Sequence, residues 1–466
     1  MPGKKLFGLC ATVVLLVILQ GCAYVKPVPN EPLTQWNPAA GYRFRNLMPP
    51  DRANTDGLLI VAAFSGGGTR ASTLAFGVLR ELSRQQITWE GKQKRMLDEL
   101  DVIFALSGGT FTAGYYALRG DQIFHDFEAR FLRKDWESEL KARVFRTPSN
   151  WIRLWSPYFG RAHLLAELLD ESLFEGATYG DLLKRNERPW LAIHASDMAT
   201  LSRFEFNQVQ FDMICSDLSR LPIAWASASS AALPLVLSPI SLKNYAGQCG
   251  YQVPVWLKEE KRKGGLGAQR ANELLSYQDI EKRPNIHLLD GGLSDNMALR
   301  GLIEGASVMG GLENFLKQGH LKNVRKFVVL AVNAETTPDV LEYRSDHIPV
   351  ISKATGAMVD LPINRYSFDT ITLLRQGVEN VRLRLRTTPR TADNPFAPDA
   401  DVYFINASLN EVADPDERLA LMKIPTTMYL TDPQIDRLLL AASRLIRNDP
   451  EFQRLMRDLE ASPQLQ

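Results

Sequence analysis

Short apolar runs recur along the chain and alternate with segments of helical periodicity. The run over 58–64 contains only Leu, Ile, Val, Ala and Phe, which is typical of a strand buried on both faces of a parallel sheet. Glycines follow it directly, and a helical pattern then runs from about Thr69 to Ser83. Further strands are predicted at 101–106, 190–195, 286–289 and 326–332. Strands that alternate with helices predict an α/β fold with a mainly parallel central sheet.

The segment 124–183 is different, because it is helical throughout and rich in basic and aromatic residues. These include Arg130, Arg133, Lys134, Trp136, Arg143, Trp151, Trp155, Tyr158 and Phe159. We expect an inserted helical subdomain whose aromatic side chains fill its own core. The alternative is a cap or an interfacial surface that meets lipid.

Two later regions complete the pattern. Mixed charges over 252–284 predict an exposed loop. Thr431-Asp432-Pro433-Gln434 is typical of a helix start with Pro in the first turn, and this helix is predicted to run to about Arg447. A second, shorter helix is predicted after Asp449-Pro450. We expect these C-terminal helices to be structural.

Residues 1–21 predict an export signal that is not part of the fold. Lys4 and Lys5 precede an apolar run over 6–19, which is too short to span a bilayer comfortably and suits a signal-peptide core. The run ends in Leu19-Gln20-Gly21-Cys22, which resembles the lipobox of bacterial lipoproteins. That resemblance implies cleavage before Cys22 and lipidation of this residue. An ordinary signal or anchor with an incidental Cys is the alternative.

The residue after the predicted lipidation site also bears on location. Ala23 stands where an Asp would suggest retention at the inner membrane, so we expect a lipid-anchored protein of the bacterial cell envelope, at the outer membrane. Residues 22–56 are rich in proline, which predicts an extended, semi-rigid tether. Parts of this tether could instead pack on the body, since Trp36, Tyr42 and Phe44 are too apolar for a purely solvated linker.

Composition and charge exclude several classes of protein. The 466 residues are 45% hydrophobic and 23% charged, which excludes wholesale disorder and a polytopic membrane protein. With 54 basic against 53 acidic residues, the chain lacks the basic field that nucleic-acid binding usually needs. Cys215 and Cys249 could pair in an oxidising compartment or remain two buried thiols. The six His do not cluster, so no metal site is expected.

Two strand-to-helix turns carry candidate chemistry. Ser65-Gly66-Gly67-Gly68-Thr69-Arg70 follows the first strand, and its glycines let backbone N–H groups face an anion at a helix N-terminus. Such a loop is an oxyanion hole when the anion is a tetrahedral intermediate. A phosphate-binding loop is the rival, but its Gly-Lys-Ser/Thr ending is absent. Ala105-Leu106-Ser107-Gly108-Gly109 follows the second strand and approximates a nucleophile elbow, with Ser107 as nucleophile.

A third motif supplies a base. Asp290-Gly291-Gly292 comes directly after the strand 286–289, and an Asp at a strand end can orient and deprotonate a nucleophile. An ordinary Asp-Gly turn is the alternative.

Together these motifs resemble the patatin-like phospholipase family, in the same order along the chain. That family has a glycine-rich loop followed by a basic residue, a Ser in an elbow and an Asp in a D-G-[GA] motif. The segment Trp225-Ala226-Ser227-Ala228-Ser229-Ser230-Ala231-Ala232-Leu233-Pro234 is similar to the family's small-residue segment ending in A-x-P. The resemblance covers about residues 57–335, which leaves 336–466 as a C-terminal extension. Ala105 and Ala71 are small departures from the family pattern.

The resemblance implies a three-layer fold and a Ser107–Asp290 dyad in place of a Ser–His–Asp triad. It also implies an oxyanion hole at Gly66, Gly67 and Gly68, a glycine at position 109 for the elbow, and no cofactor or metal. Arg70 would hold the loop or attract an anionic head group. We expect His194 and His287 to be buried structural residues.

The expected function is that of a membrane-tethered lipid acyl hydrolase of the phospholipase A or lysophospholipase type. Its expected partners are a membrane lipid as substrate and the membrane itself through the acyl anchor. An acyltransferase or a non-lipid esterase could use the same dyad, and a serine peptidase is a further option. A catalytically weak envelope lipoprotein that binds lipid or protein is the alternative from a different class. Turnover of a small acyl ester through Ser107 distinguishes the enzymes from the binding protein.

Overall fold

The computed structural model describes residues 30–47, 55–337, 351–388, 391 and 393–460. Its strands are β1 (Glu31–Pro32), β2 (Leu58–Phe64), β3 (Gln86–Trp89), β4 (Lys92–Arg95), β5 (Leu100–Leu106), β6 (Trp190–Asp197), β7 (Ser202–Phe206), β8 (Ser216–Asp217), β9 (Ile240–Lys243), β10 (Asn285–Leu289), β11 (Val324–Asn333) and β12 (Phe396–Ser408).

The helices that follow the first strands are α1 (Gly68–Arg84), α2 (Gly109–Arg119), α3 (Ile123–Phe127), α4 (Trp136–Phe145), α5 (Pro148–Leu154), α6 (Arg161–Leu169), α7 (Tyr179–Arg185), α8 (Gln208–Met213) and α9 (Ile223–Ser230). The later helices are α10 (Val255–Glu260), α11 (Gly265–Ser276), α12 (Gly292–Asp295), α13 (Arg300–Val308), α14 (Leu312–Gln318), α15 (Ile351–Thr387), α16 (Pro415–Met422), α17 (Asp432–Asn448) and α18 (Pro450–Glu460).

The central sheet is mixed, with a parallel core. Its strand order is β12-β11-β2-β5-β6-β10-β9, and β7 pairs with β6 outside this path. The strands from β12 to β6 run parallel, whereas β10, β9 and β7 pair in antiparallel fashion. All five predicted strands form, and the predicted α/β class with a mainly parallel sheet is confirmed.

Alternation along the parallel strands builds the three layers. On β2, Leu58, Ile60, Ala62 and Phe64 belong to the hydrophobic core on one face of the sheet, together with residues of α1 and α17. The intervening Leu59, Val61 and Ala63 belong to a second core with residues of α13, α14 and α15. Because successive side chains of a strand point to opposite faces, an entirely apolar strand must be covered on both sides.

The segment 124–183 is helical, as predicted, but its aromatic residues divide into two groups. Phe127, Phe131 and Trp136 are fully buried and pack on one another. Trp151 and Trp155, on and after α5, are exposed. The buried rings also pack on rings of α1 and α2 and belong to the main core of the protein, so the expectation of a separate core for this segment is wrong. The exposed rings face solvent.

The C-terminal extension is integrated with the rest of the fold. Strand β12 pairs in parallel with β11 from Lys326↔Asp401 to Asn333↔Ser408 and forms one edge of the sheet. Helix α17 packs so closely on α1 that a Cβ on Gly77 would lie 2.6 Å from the Cβ of Ala442. The two predicted C-terminal helices form at the predicted places, as α17 and α18.

The prediction of an exposed loop over 252–284 is wrong. This region contains α10 and α11, because Leu257 and Ala271 bury their side chains against Met213 and Val308. The charged residues between the two helices obscured this short apolar pattern.

Within the segment 22–56, residues 30–47 lie on the body, which is the second of the two arrangements expected for this segment. The backbone N–H groups of Leu33 and Trp36 donate to the carbonyls of Cys215 and Cys249, which form a disulfide. Tyr42 is fully buried, and its hydroxyl accepts a hydrogen bond from Leu191 N at 2.8 Å. Burial of apolar side chains such as Tyr42 favours packing of this segment on the body, although its prolines favour an extended chain.

The export signal and Cys22 lie outside the described residues, so both remain predictions. Within the described ranges, none of the helices has the length and apolar character needed to cross a bilayer.

Candidate active site

The candidate nucleophile lies in a tight turn between β5 and α2. Ser107 has a φ of 46°, in the left-handed region that most residues avoid. The two residues after Ser107 in this turn have no space for a side chain. A Cβ on Gly109 would lie 2.7 Å from the Ser65 carbonyl oxygen, and a Cβ on Gly108 would overlap the Gly68 carbonyl. Ala105 is fully buried in β5, so the departure from glycine at this position is accommodated.

Asp290 faces Ser107 from the end of β10. The Ser107 hydroxyl donates a hydrogen bond to Asp290 Oδ2 at 2.8 Å, and the Gly292 N–H donates to Oδ1 at 2.8 Å. Both side chains are nearly inaccessible, with 8% of Ser107 and 5% of Asp290 exposed. The two carboxylate oxygens thus have separate partners, which fixes the orientation of the carboxylate toward the serine.

Burial changes the basicity of this carboxylate. Loss of solvation raises the pKa of Asp290 to about 6, while the hydrogen bonds from Gly292 and Ser107 act in the opposite direction. A carboxylate with this pKa is ionised near neutral pH and is more basic than an ordinary Asp. It is therefore suited to accept a proton from the Ser107 hydroxyl.

The glycine-rich loop lies directly beside the serine. A Cβ on Gly66 would be 3.2 Å from the Cβ of Ser107, and Gly67 and Gly68 have φ values of 132° and 57°. The N–H groups of these three glycines have no acceptor within the described part of the chain. Helix α1 begins at Gly68, so its positive dipole end is at the same place. The loop can therefore stabilise negative charge next to Ser107 Oγ.

The buried Arg70 side chain supports the glycine-rich loop over 66–68. Its side chain is 2% exposed and donates to the carbonyls of Ala334 and Ile424 and to the Thr426 hydroxyl. These contacts tie the start of α1 to the segment after β11 and to the C-terminal extension. Of the two predicted roles, they favour support of the loop over attraction of a head group.

The small-residue segment at 225–234 connects the turns that carry Ser107 and Asp290. The Ser230 hydroxyl accepts a hydrogen bond from Ser107 N at 2.7 Å and donates to the His194 carbonyl at 2.5 Å. The Ala232 carbonyl accepts from Asp290 N, and the Ser230 carbonyl accepts from Gly291 N. Small side chains let α9 approach both turns, although sequence reasoning did not identify Ser230 itself.

Neither candidate histidine completes a triad. His194 is fully buried, and its ring packs on Phe104 with centroids 5.4 Å apart. His287 is exposed on β10, and its Nδ1 lies 2.7 Å from the Ser241 hydroxyl. The expectation that His287 is buried is wrong, because Ile286 and Leu288 take the inward positions of that strand.

A cavity of about 940 Å³ contains the reactive groups. Ser107, Asp290 and the three loop glycines line it on one side. Apolar side chains also line it, namely Phe111, Leu140, Val144, Phe145, Leu233, Val236, Leu237, Ile363, Met422, Ile424 and Met428. The stretch 422–428 belongs to the predicted structural extension, and sequence reasoning missed it because no local motif marks it. Among the described residues, His, Cys, Asp and Glu form no group of three that could hold a metal ion.

Comparison with known proteins gives one family. The model of the Patatin family, described as patatin-like phospholipase, matches residues 62–303. Among solved structures, human GIVD cytosolic phospholipase A2 is 12% identical, with a TM-score of 0.47, over 94% of this chain and 68% of that chain. Human GIVD cytosolic phospholipase A2 in complex with methyl gamma-linolenyl fluorophosphonate is 13% identical, with a TM-score of 0.40, over 90% and 61%. No curated protein matches this chain.

Replacing Ser230 tests how the nucleophile turn is held. We predict that Ser230→Ala destabilises the fold by about 1–3 kcal/mol, because it leaves the buried Ser107 N–H and the His194 carbonyl without their partner. Urea unfolding measures this loss. Ser241→Ala, on a hydroxyl at the protein surface, is the control and should change stability by less than about 0.5 kcal/mol. Equal stability of the two variants would contradict the assigned role.

Proposed function

The chain belongs to the patatin-like phospholipase family, and we propose that it is a lipid acyl hydrolase of the phospholipase A or lysophospholipase type. In this proposal Ser107 is the nucleophile and Asp290 is the base. The observation that supports it most directly is the 2.8 Å hydrogen bond from Ser107 Oγ to Asp290 Oδ2. It lies beside a glycine loop whose N–H groups have no acceptor among the described residues.

The reaction proceeds in two halves. Asp290 Oδ2 takes the Ser107 proton as Ser107 Oγ attacks the ester carbonyl carbon, and the resulting oxyanion faces the N–H groups of Gly66, Gly67 and Gly68. The C–O bond to the leaving alcohol then breaks, and Asp290 returns the proton to that alcohol. In the second half water gives a proton to Asp290 and attacks the acyl-serine. The fatty acid leaves, and Ser107 regains its proton.

The walls of the cavity support a lipid substrate. Its lining combines apolar side chains with polar ones such as Glu137 and Lys141, and about 940 Å³ is within the usual size of ligand sites. A long acyl chain can lie against the side chains of Phe111, Val144 and Leu237 while its ester reaches Ser107.

We also propose that Cys22 carries the acyl anchor in the cell envelope, at the outer membrane. The described fold starts at Asn30, and eight residues of chain from Cys22 reach at most about 29 Å. An anchored body of this kind stays close to the bilayer, which raises the effective concentration of lipid at the site.

Hydrolysis of mixed-chain phospholipids and of a short chromogenic ester tests the activity. We predict that the chain releases fatty acid and that Ser107→Ala and Asp290→Asn each lower kcat for both substrates by at least about 1,000-fold. Ser241→Ala is the matched serine control and should retain activity. Product masses identify the ester bond that is cleaved.

Other outcomes would separate the alternatives. Cleavage of the short ester through Ser107, with phospholipids untouched, would make the protein a non-lipid esterase. Absence of cleavage of any ester would favour the envelope lipoprotein that binds without turnover.

The pH dependence tests the base. Because burial raises the pKa of Asp290 to about 6, the carboxylate is protonated below that pH and can no longer accept the Ser107 proton. We predict that kcat/KM for the soluble ester falls as the pH drops through about 6, by about tenfold for each further unit. Circular dichroism at each pH checks that the fold persists. A profile that stays flat to about pH 5 would show that Asp290 is not the base.

A further inference from the structure

Exposed apolar side chains cluster at the end of α4 and along α5. Phe145 ends α4, Trp151 and Ile152 lie on α5, and Trp155 follows it, with 91% of Trp155 exposed. Leu235 and Val236, in the loop after α9, are exposed as well. We call these six residues the rim surface. Isolated exposed apolar residues are ordinary, but a contiguous group of aromatic and aliphatic side chains indicates an interaction site.

Polar contacts hold the parts of the rim surface together. The Asn150 side chain donates to the Arg143 carbonyl at 3.0 Å, which ties α5 to α4. Arg161, at the start of α6, donates to the Leu235 carbonyl at 2.8 Å, and Ala162 N donates to the Ser238 hydroxyl. The loop that carries Leu235 and Val236 is therefore fixed to the same helical insertion.

The rim surface continues into the candidate active site. Phe145, Val236 and Arg161 line the cavity that also contains Ser107 and Asp290. A molecule bound at this surface would therefore lie at the entrance through which the substrate reaches Ser107.

Positive charge near the rim surface indicates a partner that carries negative charge. Between Glu139 and Glu167 the sequence has no acidic residue, although it has five basic ones, namely Lys141, Arg143, Arg146, Arg153 and Arg161. Lys141, Arg143 and Arg153 pair with Glu137, Glu171 and Glu167, respectively. Arg146 and Arg161 are exposed and have no carboxylate partner among the described residues.

We propose that the rim surface docks onto a phospholipid bilayer that contains anionic lipids. Tryptophan and phenylalanine rings suit the boundary between head groups and acyl chains. Exposed arginines that have no carboxylate partner in the described part of the chain suit lipid phosphates. Docking in this way points the cavity entrance at the membrane, so that a lipid can enter without crossing water. This inference rests on the proposed function, because it names the surface from which that site takes its substrate.

Binding to vesicles tests the docking surface without hydrolysis. The protein is produced from Ala23 onward, which keeps all described residues and removes Cys22. It carries Ser107→Ala, so lipids stay intact. Sedimentation with vesicles of phosphatidylcholine alone, or mixed with phosphatidylglycerol, gives the affinity. We expect preference for the anionic vesicles, weakened by salt, because the attraction is partly electrostatic.

Paired variants locate the contact. Trp151→Ser with Trp155→Ser should lower the affinity for anionic vesicles by at least about tenfold. Val255→Ser with Trp256→Ser removes exposed apolar side chains from α10 and should change it by less than about twofold. Arg146→Gln should lower the affinity about fivefold and reduce the dependence on salt.

The outcomes of this test are separable from those of the proposed function. With Ser107 intact, the Trp151 and Trp155 variant should cleave a soluble short ester at the unaltered rate, since neither ring lines the cavity. Unchanged vesicle binding by this variant would overturn the docking surface, whatever the ester assay shows. Loss of dimers in the variant, with no vesicle binding by the parent, would also overturn it and assign the surface to self-association. Vesicle binding through these tryptophans without ester cleavage would retain the surface and reject the proposed activity.

Discussion

The candidate site depends on the close approach of two strand-to-helix turns. The turn after β2 and the turn after β5 lie so near each other that a Cβ on Gly108 would overlap the Gly68 carbonyl. This approach places the N–H groups of the glycine loop beside Ser107 Oγ. It also requires glycine at the contact points, since backbone here packs on backbone. Neighbouring parallel strands make the approach possible, because β2 and β5 end at the same edge of the sheet.

Asp290, the candidate base, reaches this edge of the sheet from an antiparallel strand. Strand β10 pairs with β6 in antiparallel fashion, and its last residues lie opposite Ser196 and Asp197. Asp290 follows directly after this strand. Its backbone N–H donates to the Ala232 carbonyl, and its carbonyl accepts a hydrogen bond from the Ser196 hydroxyl. The Ser230 hydroxyl accepts from the Ser107 amide while the Ser230 carbonyl accepts from Gly291 N, so the end of α9 sets the distance between Ser107 and Asp290. The sheet and α9 together thus position Ser107 Oγ and Asp290 Oδ2 for their 2.8 Å hydrogen bond.

Sequence patterns predicted the parts of the fold whose signal is local. The apolar run of β2, the glycines at 66–68 and the Asp-Gly-Gly motif at 290 each lie within a few residues. Contacts between segments that are far apart in the chain leave no local pattern in the sequence and were not predicted. Thr427 approaches Gly68, and Arg70 binds the Ile424 carbonyl, from more than 300 positions away in the chain. The docking of residues 30–47 depends equally on distant partners, such as Leu191 for Tyr42. The expectation that His287 is buried was wrong because strand periodicity places it on the exposed side of β10.

Covalent trapping tests most directly whether Ser107 is a nucleophile that Asp290 activates. A long-chain alkyl fluorophosphonate reacts with an activated serine by forming an O–P bond with loss of fluoride. Peptide mass spectrometry then identifies the modified residue. We predict a single adduct on Ser107, formed at least about 100-fold more slowly in Asp290→Asn. An unmodified Ser107 in the folded protein, or an equal rate in the Asp290 variant, would contradict it.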